Sequence, residues 1–133
     1  MKTRIGIWID HREAVVATIT WRGETMQVIP SHAERHPGRA DDTNGRVGHD
    51  LFKGPQDDSR DRAYKEHLRH FYDEVIEVAR AADSIVIMGP GEAKTELRHR
   101  MEEKHLGGRI RGFEATGKMT GPQVLARVRA EAA

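Results

Sequence analysis

The sequence predicts a single α/β domain, and three observations carry that prediction. Three short β-like runs open the chain, joined by connections too short for anything but hairpins. Beyond residue 57, helical and β-like periodicities alternate. Between them, Ser84 to Met88 is a continuous apolar run, the pattern of a strand covered on both faces.

The first run, Arg4 to Ile9, alternates so that its three isoleucines share a face. Ala14 to Thr20 and Thr25 to Ile29 are rich in β-branched residues and form the second and third strands of a meander. Residues 31–56 hold Pro37, Gly38, Asn44-Gly45, Gly48 and Gly54 with no sustained apolar period, so they read as a long loop. Loops of this length inside a domain are usually functional or disordered. From Asp57 to Ala82 the apolar positions Tyr64, Leu68, Phe71, Tyr72, Val75, Val78 and Ala79 follow helical spacing. The first two turns are almost wholly polar, which predicts a helix whose start projects beyond the core. Ser84 to Met88 is expected at the centre of the sheet. Gly89-Pro90-Gly91 then turns the chain into a helix over Glu92 to His105, with Ala93, Leu97 and Met101 on one face, and Gly107-Gly108 ends it. Arg109 to Ala115 is a fifth strand, and Thr120-Gly121-Pro122-Gln123 opens a last helix with threonine as its cap. The order βββαβαβα gives a mixed five-stranded sheet with helices on its faces, the arrangement of ribonuclease H-like folds. One such domain accounts for residues 1–133, with the long loop at 31–56.

At 133 residues the chain is large enough to bury roughly 65 to 70% of its unfolded surface without covalent staples. It has no cysteine, which excludes disulfides, thiolate metal sites and cysteine nucleophiles and fits a reducing, cytoplasmic setting. The N-terminus enters a β-like run directly, with no apolar leader, and nothing approaches transmembrane length. Lys and Arg number 22 against 21 Asp and Glu, a net charge of only +1. Any nucleic-acid role must therefore rest on where the charges sit and not on their sum.

Four clusters bear on chemistry. Gly89-Pro90-Gly91-Glu92-Ala93-Lys94-Thr95 has the flavour of a phosphate loop, but it is one residue short, the residue before the lysine is alanine, and Pro90 removes an amide donor; it reads as a strand-to-helix turn. His32 and His36 have helical metal-ligand spacing, yet Pro30 and Pro37 flank them and argue against a helix. A metal-dependent nuclease on this fold would need carboxylates clustered around Asp10, and Met88 and Gly89 stand where the next acid is wanted. No cofactor or metal is expected. The fourth cluster, Lys53 to Tyr64, joins the loop to the long helix. Lys53, Arg60, Arg62 and Lys65 surround Gly54-Pro55-Gln56, and a nucleic-acid contact is the functional reading. The same tripeptide at residues 121–123 starts another helix, which is the structural alternative.

Ile7 to Ala17, the Gly54-Pro55-Gln56 segment, the Arg- and Tyr-bearing helix after it and Met88 to Lys94 occur in an order that resembles one family. It is similar to the middle domain of archaeal and eukaryotic class-1 peptide-chain release factors and Pelota-type ribosome-rescue proteins, and to their short bacterial relatives. The resemblance spans about residues 4–130. It implies a ribosome- and tRNA-binding domain, with Lys53, Gly54, Pro55, Gln56, Arg60, Arg62 and Lys65 as contact residues. In release factors a Gly-Gly-Gln tip assists hydrolysis of peptidyl-tRNA, and Gln56 matches its glutamine. Here Pro55 replaces the second glycine, fixing φ near −65° and deleting an N–H, so the resemblance implies a tip whose chemistry is lost or altered. A peptidyl-tRNA hydrolase acting through Gln56 is the alternative. The flanking domains of those factors are not in this sequence, which implies that a separate protein supplies them.

Overall fold

The computed structural model describes residues 2–33 and 53–131, with the backbone alone over residues 53–58. The described residues form strands β1 (Arg4–Ile9), β2 (Glu13–Thr20), β3 (Gly23–Pro30), β4 (Ser84–Gly89) and β5 (Ile110–Ala115). Helices α1 (Lys53–Ala79), α2 (Ala93–Glu103) and α3 (Gly121–Ala130) complete them, with a 3-10 turn at Gly107–Arg109. The strands make one mixed sheet in the order β3-β2-β1-β4-β5. β1 pairs antiparallel with β2 and parallel with β4, and β4 pairs parallel with β5. This is the predicted ribonuclease H-like arrangement.

The isoleucine alternation in β1 does what its period implies. Ile5, Ile7 and Ile9 join Val16, Ile85 and Ile87 in a layer that buries Phe71, Val75 and Ile76 of α1 and Leu97 and Met101 of α2. The opposite face carries Trp8, Val15, Ala17, Val86 and Met88 beneath Val124, Leu125 and Val128 of α3. Gly6 lets α3 approach, since a Cβ there would lie 2.3 Å from a Val128 methyl. Burial on α1 begins at Leu68, and the exposed residues of the two preceding turns match the polar start expected for this helix.

Two expectations need correction. The middle of the sheet belongs to β1 and not to residues 84–88, because β1 alone receives both the hairpin partner and the crossover partner. β4 is nevertheless flanked on both edges and buried on both faces, as its apolar run requires. The boundary between long loop and long helix falls at Lys53 and not at Asp57, so Gly54, Pro55 and Gln56 belong to the first turn of α1. Proline there removes an N–H that has no partner within the helix, so it begins a helix as readily as it breaks one. Residues 34–52 of the expected loop, including His36, lie outside the described residues. Among the described residues no helix is long and apolar enough to cross a membrane.

Candidate functional site

α1 is 27 residues long, a rod of about 40 Å at 1.5 Å per residue. Its start carries Lys53, Gly54, Pro55 and Gln56. About 14 Å further along the axis stands Lys65, which lines a cleft of about 580 Å³ formed where α1 passes α2 and the β1–β2 turn. Of the other predicted contact residues, Arg60 is half-buried, while Arg62 is exposed and donates from Nη2 to Ser59 Oγ at 3.5 Å. The fold therefore brings Lys65 to the cleft and leaves the Gly54-Pro55-Gln56 turn at the far end of the same helix.

Helical spacing explains the wall that α1 supplies. Asp61, Tyr64, Lys65, Leu68, Arg69 and Tyr72 recur at three- and four-residue steps and so share one face. α2 contributes Glu96, His99, Arg100 and Glu103 by the same rule. His11 enters from the turn, its ring edge-on to Tyr64 with centroids 6.2 Å apart. Glu96 is the hub of the cleft. It accepts the Tyr72 hydroxyl and lies 3.0 Å from His11 Nε2, tying the turn and both helices together. Burial, then the hydrogen bond to Glu96, pushes the Tyr72 phenol far above its ordinary range, so it remains a proton donor at any physiological pH. At one end Arg100 grips Asp73 through two hydrogen bonds of 2.8 and 2.9 Å, which holds the Asp73 carboxyl below its usual range. Among the described residues the lining carries carboxylates, imidazoles, cations and two phenols, and no Ser, Thr or Cys.

The other sequence candidates resolve into structural roles. Asp10 Oδ1 accepts the backbone N–H groups of Arg12 and Glu13 at 2.8 and 2.9 Å, so this carboxylate shapes the β1–β2 turn. Among the described residues no group of three or more His, Cys, Asp or Glu is arranged to hold a metal ion. In the glycine-rich turn, Lys94 Nζ donates to the Gly91 carbonyl at 2.6 Å, folding the lysine back on its own turn. Gly89 has φ +146°, and a Cβ there would meet the Ile9 carbonyl oxygen at 2.2 Å; that glycine is required by the neighbouring strand. Sequence reasoning missed His11, Tyr64, Arg69, Tyr72, Glu96 and Arg100 as one cluster. The helical spacing of the α1 members was visible, but nothing in it named α2 as the facing wall.

The fold is a ribonuclease H-like α/β domain with a cleft between its two helices on one sheet face. No family model and no curated protein matches the chain. Among solved structures it is similar to the Thermoplasma acidophilum Pelota protein, with TM-score 0.55 and 14% identity over 97% of this chain and 32% of that one. It is similar as well to an archaeal translation termination factor, with TM-score 0.57 and 11% identity over 95% of this chain and 33% of the other. The Archaeoglobus fulgidus Pelota gives 0.56 at 10% identity over 96% and 31%. The chain thus spans about a third of these proteins, and at such identities the likeness establishes the fold, that of the release-factor and Pelota middle domain.

Proposed function

We propose that this chain is a translation-associated domain that binds the ribosome and the acceptor end of tRNA, acting in ribosome rescue or a stalling response in the cytoplasm. The observation that carries the proposal is the match of nearly the whole chain to one region of two kinds of translation factor, a termination factor and Pelota. α1 supports it physically. Its start extends beyond the packed half of the helix with Arg62 and Lys65 exposed, the arrangement a phosphate-contacting arm needs. Lys53, Gly54, Pro55, Gln56 and Arg60 complete the proposed contact surface. Pro55 supports a tip retained for contact with its release chemistry lost or altered, and a separate protein is proposed to supply the remaining functions of a complete factor.

Co-sedimentation with ribosomes across a salt series tests this reading. Binding that is firm at low salt and falls steeply as salt rises is expected of phosphate contacts. Absence of binding at low salt overturns the proposal. The hydrolytic alternative is separated by release of labelled peptide from ribosome-bound peptidyl-tRNA: no turnover is expected, and turnover that disappears in Gln56→Ala would establish the enzyme instead.

A further inference from the structure

Several cations on or beside the helices face carboxylates. Arg69 meets Glu66, Arg80 meets Glu77, Arg100 and Lys104 meet Asp73, Arg127 meets Glu114 and Arg129 meets Glu24. At the opposite end of the molecule from β3 stands a cluster of cations without such partners. Lys94, Arg98, Arg109 and Arg111 gather around the edge strand β5, and among the described residues none of the four has a carboxylate within ion-pair distance. We propose that this β5 edge is a second RNA-binding surface, which takes the phosphate backbone of a single-stranded or looped segment.

Local structure builds the surface. Between Ile85/Val86 and Ile110/Gly112 the register of β4 and β5 slips, so that Arg111 is the extra residue of a bulge. A bulged residue leaves the ladder and its side chain is re-aimed, which is how an exposed arginine comes to stand on this rim. Lys94 and Arg98, four residues apart on α2, share the face turned to β5 and lie over the Phe113 ring, Arg98 with its guanidinium carbon 4.0 Å from the centroid and Lys94 at 5.8 Å. Arg98 Nε is sealed from solvent and unpaired, leaving its two terminal nitrogens to do any hydrogen bonding. Arg109 is anchored by donating to the Arg80 and Ala82 carbonyls, which neutralises none of its charge. Arg98 and Arg111 line a groove of about 310 Å³ beside Phe113, with Lys94 and Arg109 outside it, and Glu102 is the one carboxylate among its described lining residues. Among the described residues β5 is the outermost strand and has no strand partner on this rim. Cations without carboxylate partners, an arginine lying over an aromatic ring and an open strand edge match a phosphodiester chain. The inference rests on the proposed translation role only in choosing RNA over an acidic peptide.

Fluorescence anisotropy of a labelled short oligouridine, titrated with the whole chain over a range of salt concentrations, tests it. Lys94→Gln with Arg111→Gln removes two phosphate partners and should flatten the slope of log K against log salt by about 1.4, at roughly 0.7 per contact on single strands. Arg12→Gln with Arg22→Gln makes the same change in net charge near the other edge and should leave that slope unaltered. Glu102→Gln should tighten binding. Equal losses in both double variants would reduce the effect to net charge and overturn the proposal, as would absence of oligouridine binding by the unaltered chain. Polyglutamate that binds where oligouridine does not would assign the edge to an acidic protein segment and overturn it equally. The same variants in the ribosome co-sedimentation separate the two ideas: if the unaltered chain sediments and Lys94→Gln with Arg111→Gln sediments with the same salt dependence, the edge fails and the translation role stands.

Discussion

Gly89→Ala should be among the most damaging single-methyl changes available to this chain, and the structure gives the size of the effect. Two costs combine. The backbone at residue 89 has φ +146°, a region that side chains with a Cβ rarely enter, and holding a residue there costs about 1–3 kcal/mol. The added Cβ would also lie 2.2 Å from the Ile9 carbonyl oxygen and 3.2 Å from the Ile9 carbonyl carbon and amide nitrogen. These are backbone atoms of the middle strand, which cannot rotate away, so a further ~1–3 kcal/mol of overpacking is expected. Gly91→Ala is the internal control. It has φ +60° with no atom within 4 Å of its would-be Cβ, so only the left-handed backbone cost of about 1–2 kcal/mol applies. Urea unfolding followed by Trp8 fluorescence reads both, because Trp8 is 1% exposed and must change environment, while Trp21 at 71% is already in water. With a slope of about 2 kcal/mol per molar urea, Gly89→Ala should lower the midpoint by roughly 2 M and Gly91→Ala by less than 1 M. Equal shifts in the two variants would refute the steric argument. A stable Gly89→Ala protein that lost ligand binding would return the turn to the phosphate-loop reading.

Thr120→Ala removes the hydroxyl that accepts the Gln123 N–H at 3.3 Å while Gln123 Oε1 accepts the Thr120 N–H at 2.8 Å, and should cost about 1 kcal/mol in the same urea assay. Acid should weaken the fold through Asp73 and Glu114, whose carboxyls are held low first by hydrogen bonds from Arg100 and Arg127, respectively. Because their folded-state pKa values lie below the unfolded ones, near 4, their contribution is complete above that pH and is lost as pH falls through the folded values. Both pairs are partly exposed, so the effect is modest, and Asp73→Asn should lower the neutral plateau of a stability-versus-pH curve slightly while leaving its acid end in place, which flattens the acid limb. Pro55→Gly gives the segment the Gly-Gly-Gln sequence of the release-factor tip; under the proposed function it should raise peptide release from a baseline of none, and a variant that still fails to release peptide would show that Pro55 alone does not account for the absence of release.

Features written in a single segment were legible. Ile5, Ile7 and Ile9 announced their shared face by period alone, and Thr120 with Gln123 announced a cap that forms as a reciprocal box. Features that need a partner segment were not. The cleft draws on His11, on α1 between Asp61 and Tyr72, and on α2 between Glu96 and Glu103, so each of its walls is ordinary amphipathic or polar sequence until the fold opposes them. The Arg111 bulge is likewise a statement about two strands: its single extra residue exists only relative to the register of β4. The start of α1 was missed for a different reason. Gly54-Pro55 carries the same local signal whether it breaks a helix or begins one, and the residues on its C-terminal side decide between the two.

The two Gly-Pro-Gln segments sharpen what that ambiguity means for function. At residues 121–123 the glutamine needs no further explanation, since it closes the box with Thr120 and starts a helix packed on β1 and β2. At residues 54–56 the residue three before the glutamine is Lys53, whose side chain has donors and no acceptor, so the same box cannot form. Helix initiation accounts for Pro55 in the first turn of α1. Pro55 and the start of the helix at Lys53 agree with one another, since a φ fixed near −65° and a missing N–H both suit a first helical turn. A glutamine carried on a continuous rod, about 14 Å from Lys65 and the cleft, is set at a fixed distance from its basic neighbours. Under the proposed function, that fixed placement suits contact with a partner.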